Sequence, residues 1–257
     1  MSTQRLQQAA KSPWLLGFRA VSNPRLRLFC FHHAGGNAGS YRSWATALPS
    51  DIEVLAVQLP GRGTRFKEPL LTRRTPLLDA LLPVITQAAS GAPFAFFGHS
   101  LGALIAFDVT CALHAARASL PRLLIASAHQ APGLPDTDEP LHALPDADFV
   151  AALRRFGGMP QAVLQQPELM ELVLPILRAD FELSESWRTA SDAPLPVSIT
   201  ALGGLADVSV SETALEAWRM HTQRDFSRHM FPGDHFFLQS SERAVIDLIA
   251  RAVAHIE

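Results

Sequence analysis

Phe94-Ala95-Phe96-Phe97-Gly98-His99-Ser100-Leu101-Gly102 is the stretch from which the rest of the chain can be read. Phe94 to Phe97 is a short apolar run behind Pro93, the pattern of a buried strand. Leu101 to His114 contains no proline and is rich in Ala and Leu, the pattern of a helix. The stretch therefore predicts strand, tight turn and helix, with Ser100 on the turn. Glycines at 98 and 102 leave room for the turn and for close approach of helix to strand. The Leu101 N–H then lies at a helix N-terminus, where negative charge is stabilised. Ser100 is thus a candidate nucleophile. The competing reading, a chance Gly-x-Ser-x-Gly in a loop, is disfavoured by the strand before it and the helix after it.

Upstream, Arg25 to Phe31 reads as a strand running into a glycine-rich turn, His32-His33-Ala34-Gly35-Gly36-Asn37. Tyr41 to Leu48 reads as a helix ended by Pro49. Glu53 to Leu59 reads as a strand stopped by Pro60-Gly61-Arg62-Gly63, and Pro76 to Ala89 as a helix. Downstream, Leu123 to Ser127 and Val197 to Leu202 read as strands, the second followed by a Gly203-Gly204 turn. Glu212 to His221 reads as a helix, Phe226 to Phe231 as a strand and Glu242 to Ile256 as a closing helix. Such alternation predicts an α/β fold: a mostly parallel sheet with helices on both faces. In such sheets the ligand site lies beyond the carboxyl ends of the strands. The turns at 34–36 and 60–61 and Ser100 all follow strand ends, so they share one edge.

Between about residues 131 and 187 the alternation stops. Pro132, Pro135, Pro140 and Pro145 lead into helical stretches at Asp146 to Phe156, Pro167 to Leu174 and Ile176 to Ser186. Asp146 reads as the capping residue of the first. The expectation is a single domain over residues 1–257 with a helical lid inserted over the site at about 131–187. Ordinary surface helices are the alternative.

Net charge is −2 with no basic stripe, which argues against a nucleic-acid partner. Residues 1–13 read as a loose leader without the apolar core of a signal peptide. The longest apolar candidate, Leu77 to Ala89, is interrupted by Asp79, Pro83 and Gln87, and falls short of the roughly 18 residues a membrane span needs. Cys30 and Cys111, in a predicted strand and a predicted helix, read as buried thiols in a reducing cytoplasm. The Cys and His spacings match no zinc site.

A serine hydroxyl needs an adjacent base and an acid that fixes the base's tautomer. In α/β hydrolases these follow in the order Ser, Asp or Glu, His. Of ten histidines, His32, His33 and His99 precede the serine. His114 and His221 fall in predicted helices and His229 in a strand. His129 has no suitable acid before it, since Asp108 is helical. His142 lies in the insertion and His255 at the C-terminus. His235, in a glycine-containing loop after the last strand, meets the requirement. For the acid, Asp207 follows a strand, whereas Asp192 lies at the wrong edge, Asp225 opens a strand, and Asp234 is the second choice beside His235. The predicted set is Ser100, Asp207 and His235, with the Ala34 and Leu101 amides as oxyanion-hole donors.

Several motifs together resemble the type II thioesterases that accompany polyketide and non-ribosomal peptide synthetases. Phe31-His32-His33-Ala34-Gly35-Gly36 is similar to the family's Phe-Pro-x-Ala-Gly-Gly, and Gln58-Leu59-Pro60-Gly61-Arg62 to its Gln-x-Pro-Gly-Arg. Gly98 to Gly102 matches its nucleophile stretch, and Leu177-Arg178-Ala179-Asp180-Phe181 looks like its lid helix. Gly204-Leu205-Ala206-Asp207 and Gly233-Asp234-His235-Phe236-Phe237 resemble its acid and base motifs. The resemblance spans about residues 26 to 250, with one departure: His32 stands where proline is usual.

The resemblance implies hydrolysis of acyl groups from the phosphopantetheine thiol of acyl- or peptidyl-carrier proteins, clearing stalled or misloaded units. No cofactor of the enzyme's own is expected, since the triad chemistry needs none; small acyl thioesters are expected as further substrates, with no membrane partner, a monomer and a cytoplasmic location. Arg62, Arg65, Lys67, Arg73 and Arg74 form a local basic cluster, either a docking point for an acidic carrier or a solvated face. Trp187 and Phe237 are candidates for either the acyl pocket or the core. A chain-releasing thioesterase, a general small-ester hydrolase and a non-catalytic binding protein on a hydrolase scaffold are the competing functions.

Overall fold

Two central strands of the sheet are buried throughout and apolar except at Arg27 and His99, because both faces are covered. They are β2 (Leu26–Phe31) and β4 (Phe94–His99), and every residue of each is buried. The structure is a computed structural model and describes residues 12–134, 140–156, 166–187, 193–254 and 256. The leader as far as residue 11, Pro135, Asp192 and His255 lie outside the described residues.

The other strands are β1 (Leu15–Gly17), β3 (Ile52–Val57), β5 (Leu123–Ser127), β6 (Ser198–Gly204) and β7 (Phe226–Phe231). The sheet order is β1-β3-β2-β4-β5-β6-β7, and only the β1–β3 pair is antiparallel. This is the expected α/β architecture. Side chains alternate across the sheet. Phe29, Phe31, Phe94 and Phe96 enter one core, with ring centroids 5.3–5.8 Å apart. Leu28, Cys30, Ala95 and Phe97 enter the other.

The eight α-helices assigned among the described residues are α1 (Trp44–Ala47), α2 (Arg74–Ala88), α3 (Leu101–Ala115), α4 (Asp146–Phe156), α5 (Pro167–Glu185), α6 (Glu212–Glu216), α7 (Phe237–Ser240) and α8 (Glu242–Ala252). α2 and α3 cover the Phe29 face; α1 and α8 cover the Phe97 face. Helix α3 is buried nearly all round, as its Ala/Leu composition requires. Its one buried acid, Asp108, is paired with Arg74. Cys30 and Cys111 are buried free thiols; burial pushes the Cys30 thiol up, and Cys111 up to about 11. No described helix is long and apolar enough to cross a membrane.

Several boundaries differ from the expectations. Tyr41–Leu48 is a 3₁₀ turn at Ala38–Tyr41 followed by the single turn of α1. Asn37 accepts the Gly39 N–H at 2.8 Å and starts that tighter turn early. The predicted helices 167–174 and 176–186 are one helix, α5, running through Pro175; α2 likewise contains Pro83. Both prolines are on exposed faces, where water can take the carbonyl each leaves free. Asp146 opens α4 as its first residue rather than capping it, and its carboxylate accepts from Arg178 at 2.5 Å. Gly203 and Gly204 belong to β6 and form no turn. Glu212–His221 divides into α6 and a 3₁₀ turn at Ala217–His221.

The strand order turns around at one place. From β2 the chain moves to β3 on one side, and the strands from β4 onward lie on the other. The crevice beyond the carboxyl ends of β2 and β4 is therefore the switch point at which such sheets bind ligands. The loop at 32–37 and the turn at Ser100 both open there.

Candidate active site

Ser100 has φ 54 and ψ −121, outside the regions an L residue prefers. The strain is held by its surroundings. The Ser100 N–H donates to the Ser127 carbonyl at 2.8 Å, and the Ser100 carbonyl accepts the Ala103 N–H at 2.8 Å. A Cβ at Gly98 would lie 2.1 Å from the Gly102 carbonyl, and one at Gly102 would lie 2.1 Å from the Phe31 carbonyl. Both glycines are thus required. The second contact also brings the end of β2 against the start of α3, beside the turn that carries Ser100.

The loops after β6 and β7 are joined backbone to backbone. Leu205 N–H donates to Phe231 at 2.8 Å and Ala206 N–H to Gly233 at 2.8 Å. A Cβ at Gly204 would meet the Asp234 carbonyl at 2.2 Å, so this approach needs glycine. It brings Asp207 to His235, whose Nδ1 is 2.8 Å from Asp207 Oδ2. His235 Nε2 is 3.1 Å from Ser100 Oγ. Ser100, His235 and Asp207 therefore form one hydrogen-bonded line. Asp234 does not join it; its carboxylate accepts the Phe236 N–H of its own turn at 2.8 Å.

Ser209 is a participant that sequence reasoning missed. Its hydroxyl donates to Asp207 Oδ1 at 2.6 Å and its N–H donates to the same oxygen at 2.9 Å; Val210 N–H adds a third at 3.2 Å. Burial pushes the Asp207 carboxyl up, but donation and charge from His235, with the Ser209 bonds, outweigh it and hold the group below its ordinary value. The stability it contributes is complete above the unfolded value of 3.8 and is lost as pH falls through the lower folded value. Between about pH 5 and pH 2, the thermal midpoint of the wild type should fall more steeply than that of Asp207→Asn. Parallel acid profiles would contradict this.

Around the line sit His99, His33 and Phe236. His99 is fully buried, with Nδ1 2.8 Å from Ser127 Oγ. The His33 ring packs edge-on to Phe236 and His99, at 5.1 and 5.9 Å. Burial, then the charges of His235 and Arg62, lower His33 to about 4, so it is neutral at neutral pH. Ala34 lies in the loop after β2, and Leu101 is the first residue of α3. Neither amide donates a hydrogen bond among the described residues. Among those residues no group of three or more His, Cys, Asp or Glu is placed to hold a metal ion.

The basic cluster dissolves. Arg62 is 5 % exposed and forks onto Asp180 of α5, Nη1 to Oδ2 at 2.5 Å and Nη2 to Oδ1 at 2.8 Å. Asp180 Oδ2 also accepts the Gly35 N–H at 2.7 Å. Arg65 is buried over the Trp14 ring at 3.9 Å and pairs with Glu68. Arg62 and Arg65 are thus neither a solvated face nor free to dock a partner; of the five, Lys67 and Arg73 are exposed. Phe237 is fully buried and stacked on Phe231, and Trp187 belongs to the Phe29 core, so both are core residues.

A strained serine after the fourth strand, with histidine and carboxylate on loops after the last two strands, defines an α/β hydrolase. The thioesterase-domain family model matches residues 26–253, and the chain belongs to the thioesterase family. It is 41 % identical over 253 residues to linear gramicidin dehydrogenase LgrE of Brevibacillus parabrevis, covering 95 % of this chain and 94 % of that protein. It is 40 % identical over 238 residues to gramicidin S biosynthesis protein GrsT of Aneurinibacillus migulanus, covering 93 % of each. Among solved structures it is similar to the type II thioesterase BorB from the borrelidin biosynthetic cluster. There the TM-score is 0.84 at 36 % identity, covering 93 % of this chain and 96 % of that one.

Proposed function

We propose that this chain is a serine thioesterase that hydrolyses acyl groups from the phosphopantetheine arm of carrier proteins, removing stalled or misloaded units in polyketide or non-ribosomal peptide assembly. The observation that carries the chemistry is the unbroken line Ser100 Oγ, His235 Nε2, His235 Nδ1, Asp207 Oδ2. The substrate class follows the relatives named for antibiotic biosynthesis and for type II thioesterases. The dehydrogenase in the name of LgrE stays with that protein, since nucleophile, base and carboxylate are the set for acyl transfer.

In this reading His235 takes the Ser100 proton as Oγ attacks the thioester carbonyl. The Ala34 and Leu101 amides receive the oxyanion. Asp207, kept ionised by Ser209 and His235, stabilises the imidazolium and fixes its tautomer. The thiol leaves with the proton held by His235. Water, deprotonated by His235, then attacks the acyl-Ser100 carbonyl; the C–Oγ bond breaks, His235 returns the proton to Oγ, and the acid departs. No metal or organic cofactor enters these steps. α4 and α5 act as a lid on a single domain, and the protein works as a cytoplasmic monomer.

The test compares an acyl-phosphopantetheinyl carrier protein with the same acyl thioester of free pantetheine. The expected result is Ser100-dependent release from both, with kcat/KM higher for the carrier by at least about tenfold, or ~1.4 kcal/mol of differential transition-state binding. Equal values would leave a general acyl hydrolase.

A further inference from the structure

The His33–Ala34 peptide is trans and planar, so its C=O and N–H point in opposite directions. Whatever holds the His33 carbonyl therefore aims the Ala34 N–H. Two donors hold it. The Gly36 N–H donates at 3.0 Å, closing a tight turn in which Gly35 takes φ 75. The His32 ring reaches forward to the same oxygen, with Nδ1 2.8 Å away. A carbonyl has no proton to give, so Nδ1 carries it. The ring is 2 % exposed, and its Nε2 has no hydrogen-bond partner among the described residues. This bond is thus the use the fold makes of the ring's polarity.

We propose that His32 is a positioning residue of the thioesterase site: its Nδ1–H pins the His33 carbonyl and thereby aims the Ala34 amide at the developing oxyanion. The inference rests on the reading of Ala34 as an oxyanion donor. Burial, then the charge of Arg62, hold the imidazole well below its ordinary value, so the neutral donor form persists across the working pH range. From the other side, Asp180 holds the next amide, Gly35 N–H, at 2.7 Å. With both peptides that flank Ala34 held, its φ and ψ have little freedom. His32 stands where the resembled family usually carries proline. Proline stiffens a turn through its ring; here a side-chain hydrogen bond does so.

The test measures kcat and KM of wild type, His32→Ala, His32→Leu and His32→Asn on an acyl-pantetheine thioester, with thermal midpoints alongside. Asparagine can present an N–H donor near the position of Nδ1. Leucine fills similar space without one. Losing an oxyanion donor outright costs about 100-fold or more, so a donor left loosely aimed should cost about tenfold. The expected result is a fall of about tenfold in kcat for Ala and Leu, KM within about twofold, and recovery of most of kcat in Asn. Binding of an alkyl boronic acid should weaken in step with kcat. Should His32→Ala fail to fold, the Leu–Asn pair decides. Equal kcat for Leu and Asn, or wild-type kcat in Ala, overturns the inference while leaving the thioesterase reading intact. A wild type without Ser100-dependent turnover overturns both.

Discussion

Ser100→Ala should lower kcat/KM for thioester hydrolysis by roughly 10⁴- to 10⁶-fold, the range found when a serine nucleophile is removed. The residue at the turn is selected by geometry as much as by chemistry. The backbone there sits at φ 54, and glycines on both sides admit no Cβ. Alanine fits the same turn, so the variant should keep its thermal midpoint within a few degrees. It should also fail to react with a fluorophosphonate that labels the wild type. Labelling of Ser100→Ala at the wild-type rate would remove Ser100 from the mechanism.

The largest effect on stability is expected at Arg62. Its side chain and that of Asp180 are 6 % and 1 % exposed, so each is the other's main compensation for lost water. Arg62→Met leaves a buried carboxylate supported, among the described residues, only by the Gly35 N–H. Breaking such a pair from one side costs about 3–5 kcal/mol, a fall in midpoint on the order of 10 °C for a chain of this size. The double variant Arg62→Met with Asp180→Leu removes the charge along with its partner. It orphans the Gly35 N–H, a penalty of about 1–3 kcal/mol. It should therefore melt above the single variant. A single variant as stable as wild type, or less affected than the double, would refute this account.

The elements legible in the sequence were those bounded by hard punctuation. The readings of Leu123–Ser127, Asp146–Phe156 and Phe226–Phe231 coincide with β5, α4 and β7. Proline misled where it is exposed: Pro175 reads as a break, yet α5 runs through it. The glycines at 203–204 read as a turn because the motif does not record their neighbour, the Asp234 carbonyl. Ser100, Asp207 and His235 could be chosen from strand ends and chain order, and the structure brings those three together. Ser209 escaped because an exposed serine two residues past the acid carries no pattern. Arg62 reads as a surface charge because its partner is 118 residues away and nothing local announces it. Charge runs are a weak signal in general, since the fold can turn them inward.

The two margins of the sheet bear on how copies of the chain meet one another at high concentration. A margin strand offers unpaired amides and carbonyls, and a long apolar one is a template for strand-on-strand polymerisation. Here one margin, β1, is three residues long. The other, β7, is half exposed and carries Arg228, tied across to Glu212 and Glu216 at 3.1 and 3.6 Å, with His229 beside it. An approaching strand would have to strip water from those charges before its first ladder bond formed. The sheet thus resists growth beyond seven strands at both ends, once by brevity and once by charge.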